Sequence, residues 1–232
     1  MSNRFLDQYA VILLDMNSTF MFGEGRFGEV EDFYETYVAQ GANNLGREAV
    51  NTAIRRCYEG MARDYANPEK MDDFPSLAEG LQRYANVRDA DVAQLENVFT
   101  HHERGQVPPE FAACLKCLKQ THSLGVVSNI WAKKDAWLDE FHAAGIADIW
   151  DAMIFSSDGR SIKPSPKLFH QAIDIVHVPL GKILLVGDSL RADIVPAKAI
   201  GLDTLWINPG NSEHPMADHV ARSLLDVNGG IL

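Results

Sequence analysis

The sequence predicts an α/β fold, a doubly wound parallel sheet carrying an inserted all-helical unit. Five short runs, residues 10–14, 124–127, 152–155, 182–186 and 203–207, are apolar almost throughout rather than alternating. That is the pattern of strands buried on both faces. Amphipathic stretches of helical period lie between them, so strand and helix alternate as a parallel sheet requires. Residues 25–105, by contrast, show helical periodicities and no convincing strand.

The first strand, residues 10–14, ends at Asp15. Helices are expected next over 27–40, 47–65, 75–84 and 89–104, enough for a small bundle. Because this block leaves directly after the first strand, it is expected over that strand's carboxyl end, where open α/β sheets bind ligands. The helix expected over 109–120 opens on Pro108-Pro109, and the one over 133–144 stops at Gly145. The helix over 166–176 opens with Pro166, and the one over 193–200 stops at Gly201. These are the usual start and stop residues. The core domain is assigned to residues 1–20 and 106–232, and the helical unit to residues 21–105.

The chain has 232 residues, 46% of them hydrophobic and 23% charged, an ordinary globular composition. Its 32 acidic residues against 21 basic ones give a formal charge of −11. Such a surface repels phosphate backbones and anionic lipid, so no nucleic-acid or membrane partner is expected. Three cysteines suit a reducing, cytoplasmic setting rather than a disulfide framework. Cys114 and Cys117 form a C-x-x-C inside a helical stretch without a second ligand pair, which reads as structural filler. The amino terminus shows no signal-peptide pattern, and the apolar run before Asp15 is far short of a membrane span.

Four segments at or beyond strand ends carry chemistry. Leu13-Leu14-Asp15-Met16-Asn17-Ser18-Thr19 closes the first strand with a carboxylate suited to a nucleophile or a metal ligand, or simply to a turn. Ser128-Asn129 offers a hydroxyl and an amide that either bind an anion or form a turn. Lys163, in Ile162-Lys163-Pro164, either neutralises a phosphate or is a solvated loop charge. Gly187-Asp188-Ser189-Leu190-Arg191-Ala192-Asp193 places two acids in a strand-to-helix turn. They either share a divalent cation or, for Asp193, favour a helix N-terminus.

In this order and spacing the four segments resemble the haloacid dehalogenase-like (HAD) superfamily of phosphatases and phosphotransferases. The resemblance runs from Ala10 to about Ile207 and implies a Rossmann-like core with the helical block as a C1-type cap. It implies that Asp15 is the nucleophile that takes the phosphoryl group of a small phosphorylated substrate. Ser128, Asn129 and Thr19 would line the substrate, and Lys163 would compensate the charge of nucleophile and phosphate. Asp15, Asp188, Asp193 and the carbonyl of residue 17 would hold Mg2+. The division of labour is physically consistent, since carboxylate and phosphate repel each other unless cations offset them.

One position departs from the family pattern. Its phosphatases usually carry an Asp two residues after the nucleophile as general acid and base; here it is Asn17. An amide neither protonates a leaving alkoxide nor takes a proton from water, help worth about 10²–10⁴-fold in rate. Turnover is therefore expected to be slowed or altered while the cation site persists. Two alternatives follow: a 2-haloacid dehalogenase, which lacks that second Asp, or a non-catalytic module binding Mg2+ and phosphate. The acid pair Asp188/Asp193 favours phosphate chemistry. After Asp15, the loop residues Phe20, Met21 and Phe22 either pack the junction with the cap or shield the site, and on the second reading Arg26 or Glu24 would touch substrate. His101-His102 are either a substitute proton source or inert.

Overall fold

The computed structural model describes residues 5–228. Strands β1 (Val11–Leu14), β2 (Ser123–Ser128), β3 (Trp150–Phe155), β4 (Ile183–Gly187), β5 (Asp203–Ile207) and β6 (His219–Ala221) form one sheet in the order β3-β2-β1-β4-β5-β6. Every neighbouring pair is parallel. The strand order reverses between β1 and β4, which creates the crevice at their carboxyl ends that such sheets use for ligands. Leu14 aligns with Val126 on one side and Val186 on the other. That register brings the residues that follow each strand to a common level.

The apolar runs are continuous because both sheet faces are covered. Val11 and Leu13 pack with Val127, Leu185, Leu168 and Phe169 on one face. Ile12 and Leu14 pack with Leu124, Val126, Leu184 and Val186 on the other, in a core that continues into the helical block. All four residues of β1 are at most 1% exposed.

Between β1 and β2 the chain forms α1 (Phe33–Ala39), α2 (Arg47–Ala66), α3 (Leu77–Ala85), α4 (Asp89–Glu103) and α5 (Pro109–Lys119). The first four pack on one another as the inserted bundle. Helix α3 starts at a reciprocal cap between Ser76 and Glu79. Helix α2 can lie against it because residue 60 is glycine; a Cβ there would stand 2.1 Å from the Tyr84 ring. The remaining helices are α6 (Asp135–Ala143), α7 (Pro166–Val176), α8 (Val195–Ala199) and α9 (Leu224–Asn228).

Three elements differ from the sequence reading. Helix α1 begins at Phe33 rather than at residue 27, because Asp32 caps it by accepting from the Tyr34 N–H. The preceding segment is held irregular by Arg55, which donates to the carbonyls of Gly28, Glu29 and Glu31. The helix expected from Asp193 starts instead as a π-helical turn, Leu190–Ile194, before α8. Strand β6 was not expected: three residues opening on a histidine are too short to show an apolar run.

Candidate active site

The sequence-predicted residues converge at the carboxyl ends of β1, β2 and β4. Asp15 directly follows β1, and its N–H donates to the Val186 carbonyl at 2.8 Å, which locks it against β4. Its Oδ1 accepts from Ser128 Oγ, the last residue of β2, at 3.1 Å and from Lys163 Nζ at 2.6 Å. The same Nζ donates to Asp193 Oδ1 at 2.6 Å and to the Val127 carbonyl at 2.9 Å. A lysine with three donors thus has all three engaged. Asp15, Ser128, Lys163 and Asp193 are all at most 6% exposed.

The π-helical turn delivers Asp193. Its Oδ2 accepts from the Ser189 N–H at 3.0 Å, while Ser189 Oγ accepts from the Ala192 N–H. Glycine at 187 makes the approach possible, since a Cβ there would lie 2.6 Å from the Asp193 carboxyl carbon. Asp188, half-buried, completes a trio: one carboxylate oxygen each from Asp15, Asp188 and Asp193 lie within 4.8 Å of one another. Trp206 donates to the Asp188 carbonyl at 2.7 Å and steadies its backbone.

The electrostatics are unbalanced. Burial works against the Lys163 ammonium, yet Asp15 and Asp193 overcome it and hold it protonated well above the ordinary lysine range. Burial, reinforced by the charges of Asp15 and Asp193, pushes Asp188 up to about 7. Burial likewise raises Asp193 to about 6, against the opposing pull of Lys163. Fully ionised, the three carboxylates would exceed the one ammonium by two negative charges, and the raised values of Asp188 and Asp193 express that crowding. An all-oxygen donor set is the kind that Mg2+ takes. The loop after Asp15 adds two buried oxygens without hydrogen-bond partners, Asn17 Oδ1 and Thr19 Oγ1.

Other candidates resolve differently. The Asn129 side chain is occupied by the Lys163 backbone, accepting from its N–H at 2.8 Å and donating to its carbonyl at 3.1 Å. Arg26 donates to the carbonyls of Gly23, His101 and Arg104, and Glu24 accepts from Ser18. Phe20 and Met21 are fully buried, as the packing reading requires. His102 is buried against Thr36 and the Arg26 carbonyl; burial and then His101 depress its protonation. Cys114 is buried on α5 and donates to the Leu224 carbonyl, while Cys117 is exposed on the same helix.

Two partners of the site were missed from sequence. Tyr65 of α2 accepts from Asn129 Nδ2 at 3.0 Å, and Glu103 of α4 accepts from the N–H groups of Trp131 at 2.6 Å and Ala132 at 2.9 Å. Both lie on helices of the inserted block, and nothing in their local sequence sets them apart from other helical residues.

A sequence model described as haloacid dehalogenase-like hydrolase matches residues 9–201. The chain belongs to that family. The match takes in Asp15, Asn17, Thr19, Ser128, Asn129, Lys163, Asp188 and Asp193. Among curated relatives, the mouse N-acylneuraminate-9-phosphatase is 28% identical over 94 residues, 38% of each chain. The chain therefore aligns with well under half of that phosphatase's length. Among solved structures, a HAD phosphatase from Thermococcus onnurineus superimposes with a TM-score of 0.63 at 21% identity, covering 94% of this chain and 96% of that one. A 2-haloacid dehalogenase from Pseudomonas syringae pv. Tomato DC3000 gives 0.67 at 20% identity, covering 96% and 98%. Those likenesses show the fold of this HAD-like hydrolase and no more. Among the described residues, no helix is long and apolar enough to cross a membrane.

Proposed function

We propose that this HAD-like hydrolase is a Mg2+-dependent phosphatase or phosphotransferase acting on a small phosphorylated metabolite through an aspartyl-phosphate at Asp15. The observation that carries the reading is the cluster of buried Asp15, half-buried Asp188 and buried Asp193, with the Lys163 ammonium donating to Asp15 and Asp193. That geometry has a use for a second cation and for an anionic substrate. Asp15, Asp188 and Asp193, with the carbonyl of Asn17, would hold Mg2+, whose chemistry is to offset negative charge on the phosphoryl oxygens. On this reading the core assigned to residues 1–20 and 106–232, of which 1–4 and 229–232 lie outside the described residues, is catalytic, and residues 21–105 are its cap.

Both side-chain hydrogen bonds to Asp15 fall on Oδ1, so the attack on phosphorus is assigned to Oδ2. As the Asp15 O–P bond forms, the O–P bond to the leaving group breaks and the leaving oxygen departs with the electron pair. Lys163 stays protonated beside Asp15 and compensates the charge that gathers there. Ser128, with the backbone at Asn129 and the hydroxyl of Thr19, receives the phosphoryl oxygens. Water then attacks phosphorus, the Asp15 O–P bond breaks with its electron pair returning to the carboxylate, and both protons of the water leave on the released inorganic phosphate.

Asn17 limits both halves of this cycle. It donates no proton to a poor leaving group, and it takes none from the attacking water. The favoured substrates are therefore acyl or aryl phosphates, whose leaving groups need little protonation. Asn17 also supports a second reading, in which Asp15 attacks carbon and displaces halide without acid assistance. The test is a phosphate panel with and without Mg2+, run on wild type, Asp15→Asn and Asn17→Asp. Metal-dependent release that Asp15→Asn abolishes and Asn17→Asp extends to alkyl phosphates supports the phosphatase. Silence from both wild type and Asn17→Asp overturns it, and metal-independent chloride release from a 2-haloacid selects the dehalogenase.

A further inference from the structure

Lys163 is held at both ends. Its ammonium stands between Asp15 and Asp193, and its peptide is bracketed by the Asn129 amide, which meets the Lys163 N–H at 2.8 Å and its carbonyl at 3.1 Å. The same Asn129 Nδ2 donates to the hydroxyl of Tyr65 at 3.0 Å. A carboxamide nitrogen carries two hydrogens, so the two donations are compatible. The torsion that orients an Asn amide is otherwise broad and weakly restrained. The two bonds to the Lys163 backbone set which way the amide faces, and Tyr65 adds a third, the one that comes from the inserted block.

Tyr65 belongs to the last turn of α2, in the inserted block, and its surroundings tie that block to the Lys163 loop. Ile162 N–H donates to the Met71 carbonyl and Phe74 N–H to the Arg160 carbonyl, both at 2.8 Å. Asp72 accepts from Ser165 Oγ at 2.6 Å and pairs with Lys167 at 3.2 Å. Arg160 pairs with Asp73 and Glu79. The block thus grips the loop on both sides of Lys163, with the Tyr65 hydroxyl reaching its centre through Asn129.

We propose that Tyr65 is a positioning residue for Lys163: with the helical block docked, its hydroxyl orients the Asn129 amide, which fixes the Lys163 peptide and hence the ammonium between Asp15 and Asp193. The catalytic consequence rests on the phosphoryl-transfer reading above; the structural one does not. Docking of the inserted block and assembly of the charged site are then one event.

Tyr65→Phe keeps the ring against Trp131 and Phe74 and deletes only the hydroxyl. Tyr84→Phe is the control, since that hydroxyl donates to Asp64 within the block. Two readouts are taken on the full chain: amide hydrogen exchange at Lys163, resolved by NMR, and steady-state kinetics with acetyl phosphate and Mg2+. Loss of one hydrogen bond is expected to speed Lys163 exchange about three- to tenfold and to lower kcat by a similar factor. KM is expected to change less than about twofold, and Tyr84→Phe to leave Lys163 exchange and kcat unchanged. Unaltered exchange at Lys163 in Tyr65→Phe, or an equal change in Tyr84→Phe, overturns the proposal. Should wild type show no turnover that Asp15→Asn removes, the phosphatase reading falls, and the exchange rate alone still decides whether Tyr65 positions Lys163.

Discussion

Replacing Lys163 by methionine keeps the stem and removes the one ammonium between two buried carboxylates. Asp15 is 6% exposed and Asp193 1%, and each lies 2.6 Å from the Lys163 nitrogen. The Val127 carbonyl loses a donor in the same step. Removing one partner of a buried pair costs about 3–5 kcal/mol, because the remaining charge stays buried and uncompensated. Urea unfolding of Lys163→Met in metal-free buffer near neutral pH is expected to show that loss with an unchanged m-value. The pH dependence gives a second check. Burial already holds the Asp193 carboxyl above its unfolded value, and losing Lys163 removes the main charge that opposes this, so the folded state takes up a proton that the unfolded state does not. The deficit is therefore expected to shrink as the pH falls from about 7 to 5. A cost below about 1 kcal/mol, or a deficit that grows on acidification, refutes the reasoning.

Two further outcomes follow. Gly187→Ala drives a Cβ into the Asp193 carboxyl; overpacking of this kind costs about 1–3 kcal/mol, and displacing Asp193 from Lys163 is expected to lower Mg2+-dependent turnover at least about tenfold. Gly181→Ala, where a Cβ meets nothing, serves as the neutral comparison in both unfolding and activity assays. Burial pushes Glu103 from 4.5 up to about 7 despite its two N–H partners, so the folded chain holds a proton there that the unfolded chain releases. Stability from this group is complete below about pH 4 and is lost as the pH rises toward 7, on the order of 3 kcal/mol in all. Urea midpoints measured across that range are expected to show the decline in wild type and a flatter curve in Glu103→Gln.

Much of the site was legible because its chemistry stands at the ends of apolar runs. Asp15, Ser128 and Asp188 each terminate or directly follow a buried strand, and the register of β1 with β2 and β4 leaves them no other level at which to sit. Lys163 and Asp193 were found by spacing, but their ion pair was not, since nothing along the chain says that the loop before α7 reaches the turn after β4. Tyr65 escaped notice because a tyrosine on an amphipathic helix reads like Tyr58 or Tyr84, and only tertiary contact separates them. Glu103 was hidden for the same reason: its partners, the amides of Trp131 and Ala132, are backbone groups with no sequence signature. The late start of α1 and the π-helical turn were invisible to periodicity because single side chains, Asp32 and Ser189, decide them by hydrogen bonding to nearby amides. Strand β6 was too short to carry a pattern.

The central claim is that Asp15 receives the phosphoryl group, and trapping that intermediate tests it most directly. With Asn17 unable to activate water, hydrolysis of the aspartyl-phosphate is expected to lag behind its formation. Wild-type protein mixed with acetyl phosphate and Mg2+, quenched in acid and digested, is expected to yield one phosphorylated peptide, the one containing Asp15. The label is expected to be absent from Asp15→Asn and shorter-lived in Asn17→Asp. A phosphoryl group on another residue, or one that persists in Asp15→Asn, would contradict the account.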